Sequence, residues 1–228
     1  LDDFHVIKRA QVDLQPMQIV DVPSAHHLVV AHGNADHVTL LNDQALNVVG
    51  TIDVKPNAKL PYGSMPGAIA VSPDGQTLYT ANGGDNAIGV FDLATKANKG
   101  FIPVGWYPGA LALIDNDLWV ANVKGVGSRE PTKNAKFSVY NFSGTVSVVP
   151  LPSDDELKAY TETVANGNAQ KEALAAVERA AKAPGKPVPE KLGEQSPIEH
   201  VVYILKENRT YDQVLGDMER GDGDKSLC

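Results

Sequence analysis

A single cysteine, Cys228, occurs in 228 residues. Without a second thiol an internal disulfide is excluded, and so is a metal site built from several cysteines. No stretch reaches the roughly 18 consecutive apolar residues that a membrane helix needs, so no membrane span is expected. A basic stripe is missing as well: 20 Lys and Arg stand against 28 Asp and Glu, a net charge of −8. Gripping a phosphate backbone takes clustered positive charge, so nucleic acid is not expected as a partner. The opening residues Leu1-Asp2-Asp3-Phe4 show neither the basic start nor the apolar core of a secretory signal. What is present, 43% hydrophobic and 21% charged residues, suits an ordinary folded protein.

The chain repeats itself. Pro66-Gly67-Ala68-Ile69-Ala70-Val71 recurs 42 positions later as Pro108-Gly109-Ala110-Leu111-Ala112-Leu113. Leu78-Tyr79-Thr80-Ala81-Asn82 recurs 40 positions later as Leu118-Trp119-Val120-Ala121-Asn122, and Leu28-Val29-Val30-Ala31-His32 is an earlier, looser copy. A loop and a further alternating run follow each copy: Val38 to Leu41, Ala87 to Leu93, Thr145 to Leu151. Short β-prone runs of period two, separated by turns, predict meandering antiparallel strands. Ser72-Pro73-Asp74-Gly75 is expected to turn with Pro fixing φ and Gly taking a positive φ, and Gly83-Gly84-Asp85-Asn86 to close the next hairpin. The third copy has the shorter turn Asp115-Asn116-Asp117 and a long insertion, Val123 to Gly144, expected to be an arm reaching towards a second domain.

Units of about 40 residues match four-stranded propeller blades. The Pro-Gly start, the Pro-Asp-Gly turn and the aromatic-x-x-Asn strand resemble the YVTN family of propeller repeats over about residues 20 to 152. The expected fold is mainly β: a partial β-propeller of about three four-stranded blades over 1–152. Closed propellers have about 4–8 blades, so the set reads as truncated at its N-terminus.

At Ser153 the pattern changes. Ser153-Asp154-Asp155-Glu156 is a capping box, and Leu157, Tyr160 and Val164 line one helical face up to Asn166-Gly167. A second helix is expected over 169–183, with Leu174, Val177 and Ala181 as its stripe and Pro184-Gly185 as its stop. Prolines 184, 187, 189 and 197 then mark a semi-stiff linker, so 153–196 reads as a helical connector.

Val201 to Leu205 is a continuous apolar run, the pattern of a strand buried on both faces of a parallel sheet. Glu207, Asn208, Arg209 and Asp212 follow at once, where open α/β sheets bind their ligands. His200 to Asp212 resembles the first strand of the phosphoesterase branch of the alkaline-phosphatase-like superfamily, which also holds bacterial phospholipase C enzymes and some acid phosphatases. That resemblance implies that 197–228 starts an α/β phosphoesterase domain. It also implies that Glu207 and Asn208 would hold a catalytic divalent metal, with Arg209 and Asp212 orienting the loop. A carboxylate and an amide oxygen are suitable hard donors. The Ser or Thr nucleophile and the remaining Asp and His ligands of that family would lie beyond Cys228.

The combined reading is part of an exported, two-domain bacterial protein: a propeller joined to a metal-dependent hydrolase of phosphoric esters, inactive as this chain alone. Its rival is a propeller that binds a protein or cell-envelope ligand without catalysis. A quinone-dependent propeller dehydrogenase would want Arg, Asp and Trp in each blade, and the repeats do not supply them. His26, His27, His32 and His37 crowd together in sequence, yet strand alternation sends neighbours to opposite faces, so no shared metal site is expected. The sequons at Asn141 and Asn208 are discounted as glycosylation sites.

Overall fold

The structure, a computed structural model, describes residues 5–127, 143–180, 185–189, 194–205, 208–221 and 223–227. Eleven strands form three antiparallel meanders among these residues. The first sheet is β1 (Pro16–Val22), β2 (His27–His32), β3 (His37–Asn42) and β4 (Val48–Asp53). The second is β5 (Pro66–Val71), β6 (Thr77–Asn82), β7 (Ala87–Asp92) and β8 (Asn98–Pro103). The third is β9 (Pro108–Ile114), β10 (Asp117–Asn122) and β11 (Thr145–Pro150). The inner strands β1, β5 and β9 lie side by side, so the sheets succeed one another as propeller blades.

Register carries the repeat into space. Leu28 pairs with Leu41, Leu78 with Phe91 and Leu118 with Val149, each at the same step of its own blade. The sheets stack through alternate residues. Val29, Ala31, Val38, Leu40 and Ile52 of the first meet Ile69, Leu78, Phe91 and Phe101 of the second. The other face of the second, Ala68, Tyr79, Ala81, Ile88, Val90 and Ile102, meets Leu111, Leu113, Leu118, Val120 and Val149 of the third. Two apolar interfaces between three sheets thus form the core, as the alternation requires.

The turn at Ser72 is built as expected: Gly75 takes φ +72°, and its N–H donates to the Ser72 carbonyl at 2.8 Å. In the next hairpin the positive φ falls on Asn86, at 53°, rather than on either glycine. Asn enters that conformation more readily than most residues, and here its Oδ1 accepts from the Tyr107 amide at 2.9 Å. The third sheet differs from the expected four strands: among the described residues it has three, and nothing pairs with the outer edge of β11. Most of the insertion, residues 128–142, lies outside the described residues, and so does the arm expected there.

Helix α1 (Asp154–Gly167) starts at the predicted box, with the Ser153 N–H donating to Glu156 Oε2 at 2.9 Å and the Ser153 hydroxyl accepting from the Glu156 amide. It covers the free edge of β8. Thr161 Oγ1 accepts from the Phe101 amide at 2.8 Å, while Leu157 and Val164 enter the two interior clusters. Gly100, at φ +148°, permits this approach, since a Cβ there would collide with Thr161 and Leu157. Helix α2 (Gln170–Ala180) buries Ala176 and leaves Val177 40% exposed, so its inner stripe is shifted from the one expected. Ala181 and Lys182 lie outside the described residues. No helix among the described residues is long and apolar enough to cross a membrane.

Candidate functional site

The segment expected to carry the chemistry is laid out in the open. Val201 to Leu205 joins no sheet, and its side chains are exposed, from 64% at Leu205 to 85% at Val202. This differs from the buried strand that the pattern predicts, for a physical reason. A doubly buried strand needs a ladder partner at its edges and a layer on each face, and no described strand adjoins it. Asn208 and Arg209 are exposed. Thr210 then caps helix α3 (Tyr211–Leu215) with a second reciprocal box, its hydroxyl accepting from the Gln213 amide and its own amide donating to Gln213 Oε1 at 3.1 Å. Asp212, in the first turn, accepts from the Asp224 amide at 2.9 Å. Glu207 lies outside the described residues. Among the described residues no three His, Cys, Asp or Glu side chains gather as a metal site. Of the two residues expected to hold a metal, Asn208 is the one described, and its amide oxygen is a single donor of the several that a divalent cation takes.

A second polar site, not foreseen in the sequence, sits where the first and second blades meet. Asn82, fully buried, donates to the Val54 carbonyl at 2.9 Å and to Asp85 Oδ2 at 3.0 Å, and accepts from Thr80 Oγ1 at 2.8 Å. Asp36 accepts from the amides of Gly63 at 3.1 Å and Ser64 at 2.8 Å, and the Asp85 carbonyl takes a bond from Asn168 at the end of α1. Burial pushes the Asp85 carboxyl above the usual carboxylate range; hydrogen bonds from Ser64 and Asn82 oppose the shift and the nearby Asp36 adds to it. A cleft of about 250 Å³ opens beside this network, lined by Lys55, Tyr62, Ser64, Asp85, Asn168 and Gln170. The cleft thus gathers polar side chains beside a carboxyl that is reluctant to ionise. Its signal in the sequence was the repeated Asn at the end of the second strand, read there only as a family mark.

The third blade carries the same Asn with one part missing. Asn122 donates to Thr145 Oγ1 at 3.2 Å and Ser147 Oγ at 2.8 Å, but its Oδ1 is buried without a partner among the described residues, because Val120 stands where Thr80 stands in the second blade. Val120→Thr should supply the missing donor two residues before Asn122. Relief of the orphaned oxygen outweighs the lost methyl, so chemical denaturation should show a gain of about 1 kcal/mol.

In the first blade the position is His32. It is fully buried, and its Nε2 lies 2.9 Å from Thr39 Oγ1. His32 and His37 do approach, with ring centroids 5.6 Å apart, and His37 Nε2 lies 3.2 Å from Asp13. His26 is set apart on Asp43. Burial, then the charge of His37, holds His32 below its ordinary value, with Asp13 opposing. The folded state therefore binds the proton less readily than the unfolded chain. The associated stability is fully present above about pH 6.5 and is lost as pH falls towards the folded value. Thermal unfolding should accordingly show a lower midpoint at pH 5.5 than at 7.5, with the drop reduced in His32→Asn, which restores the residue of the other two blades.

Residues 30–120 match the family model described as Lactonase, 7-bladed beta-propeller. Among solved structures, the chain is similar to Kuenenia stuttgartiensis hydrazine synthase (24% identity, 53% of this chain and 33% of that chain, TM-score 0.43). It is similar also to a candidate 6-phosphogluconolactonase from Bacteroides uniformis (21% identity, 50% and 34%, TM-score 0.43). A second such protein, from Bacteroides fragilis, gives 19% identity over 47% and 32% with a TM-score of 0.41. The chain spans about a third of the length of these structures. No curated protein matches it. Family model, strand order and register agree on the fold: the chain is part of a β-propeller.

Proposed function

We propose that this chain is the propeller-and-connector part of a metal-dependent hydrolase of phosphoric esters. The observation that carries the reading is the run His200 to Asp212, in which Glu207 and Asn208 immediately precede a helix with a reciprocal cap at Thr210. The box at Thr210 fixes where the chain enters helix α3, two residues after Asn208. In the parent protein Glu207 and Asn208 would supply hard oxygen donors, and the metal would neutralise charge on the phosphoryl group. Arg209 and Asp212 would position the loop. The proposal places the nucleophile in sequence beyond this chain, and the parent outside the cytoplasm. The name of the matching lactonase family falls in the same broad class, hydrolases.

The test uses the longer protein, assayed on p-nitrophenyl phosphate mono- and diesters with divalent metals and with chelator. Glu207→Ala with Asn208→Ala should lower metal-dependent turnover by about 10³-fold, the effect of losing several kcal/mol of charge stabilisation. The 228-residue chain alone should give none. Full activity in the double variant, or robust hydrolysis by the chain alone, would refute the assignment. A second reading, a propeller that binds a ligand without catalysis, draws on the notch beside Asp85. Phosphoesterase activity absent from the longer protein, together with ligand binding lost on Tyr62→Ala, would favour it.

A further inference from the structure

We propose that Asn166, in the last turn of α1, is a self-modifying site whose conversion to isoaspartate loosens the hold of the connector on the second blade. The chain holds two Asn-Gly pairs, Asn82-Gly83 and Asn166-Gly167. In such a pair the glycine amide nitrogen can attack the side-chain carbonyl carbon of the asparagine, since glycine has no Cβ to obstruct the approach. The new N–Cγ bond closes a five-membered imide. The Cγ–Nδ2 bond breaks, and ammonia leaves with the proton that the glycine amide gave up. Water then opens either carbonyl of the ring. One opening gives aspartate; the other gives isoaspartate, in which the main chain runs through the former side-chain carbon. The sum is amide and water to acid and ammonia, with no change of oxidation state.

The structure separates the two pairs. Asn82 is fully buried, its Nδ2 donates to the Val54 carbonyl and to Asp85, and its Oδ1 accepts from Thr80. The Gly83 amide, the nucleophile of that pair, donates to the Met65 carbonyl at 3.2 Å. Leaving group and nucleophile are both held, at the end of a strand paired on both sides. Asn166 and Gly167 are exposed, and a Cβ on Gly167 would meet nothing within 4 Å. The backbone supplies the motion. Helices commonly end on a glycine in the left-handed region, yet here Gly167 is the last helical residue and Ala169 takes that conformation, at φ 49°. Alanine is strained there where glycine would not be. Ending the helix early, with Gly167 left-handed, relieves Ala169 and takes the Gly167 amide out of the helix, within reach of the Asn166 side chain.

The consequence falls on the cleft beside Asp85. Asn168 donates to the Asp85 carbonyl at 2.8 Å, and Asn168 and Gln170 both line that cleft. An extra main-chain carbon at position 166 shifts this turn. The new carboxylate also opposes the helix dipole at its C-terminal end, where the last turn of α1 has no basic residue. The anchor at Asn168 is lost and the cleft opens on that side.

The test incubates the 228-residue chain at mildly alkaline pH, digests it at mildly acidic pH and reads the peptides by mass spectrometry. The peptide holding Asn166 should gain the mass of an amide-to-acid change and accept label from an isoaspartate methyltransferase. The peptide holding Asn82 should stay unchanged until urea unfolds the chain. Ala169→Gly should slow the conversion by about threefold or more, by relieving the strain that frays the turn. Asn166→Gln should abolish it. Hydrogen exchange over residues 168–170 should rise in the modified chain. Equal conversion of both pairs in the folded chain, an Asn166 that reacts only in urea, or a rate untouched by Ala169→Gly would each overturn the proposal. So would exchange over 168–170 that is the same before and after conversion.

Discussion

Phe91→Ala will lower the stability of the chain by about 3–5 kcal/mol, the usual cost of emptying a buried phenylalanine site. Phe91 is fully buried on β7, between the first and second sheets, and meets Phe101 edge to face with ring centroids 6.1 Å apart. The loss has two parts: the transfer free energy of the ring and the void left between two sheets that are each fixed by their own ladders. Sheets cannot close on a void as a loop can, which puts the value in the upper part of the range. Against a total of about 5–15 kcal/mol for a typical domain, that is about a fifth or more. Urea unfolding reads it directly. Phe91→Leu, which matches Leu41 of the first blade, should cost about 1 kcal/mol. A loss below about 1 kcal/mol for the alanine variant would mean that the sheets are not packed as described.

Asn82→Ala should cost about 2–4 kcal/mol, although it removes little apolar surface. Three groups lose their partner together: the Val54 carbonyl, the Thr80 hydroxyl and the Asp85 carboxylate. The last gives the variant a signature that simple loss of packing would not. Asp85 already resists ionisation, and the Asn82 bond is one of the interactions holding its carboxyl down. Without that bond the folded-state value rises further. A carboxyl raised on folding contributes stability that is present below its unfolded value and is lost as pH rises through the folded one. The penalty of Asn82→Ala should therefore shrink as pH is lowered towards 4 and be fully expressed at neutral pH. A penalty independent of pH would place the cost elsewhere.

Much of the fold was legible because the repeat states it more than once. Pro66 and Pro108 open inner strands, and Leu78 and Leu118 sit at the same step of successive blades, so one copy checks the other. Ser153 and Glu156 specified their helix locally, through side-chain bonds spanning three residues. What the sequence hid was set by distance. Asp36 grips Gly63 and Ser64 from another blade, and no local pattern announces a contact across 27 and 28 positions. Strand β1 went unread because its Pro16-Met17 start lacks the glycine of the later copies. Val201 to Leu205 marks the limit in the other direction. Its composition specifies a strand, but a strand exists only where a neighbour offers hydrogen bonds, and none is described beside it.

The seating of α1 on β8 also sets a load path. The chain leaves the third blade at Leu151, whose amide bonds the Asn116 carbonyl, and α1 is then hydrogen-bonded to the second blade at Thr161 and, through Asn168, to the loop beside Asp85. Tension applied from anything attached beyond α2 therefore enters the molecule through the second blade and bypasses the third. The first element to yield would be α1, peeling off β8 one contact at a time, while the ladder of β9, β10 and β11 carries no strain. The helix is a mechanical fuse between the propeller and whatever pulls on its far end.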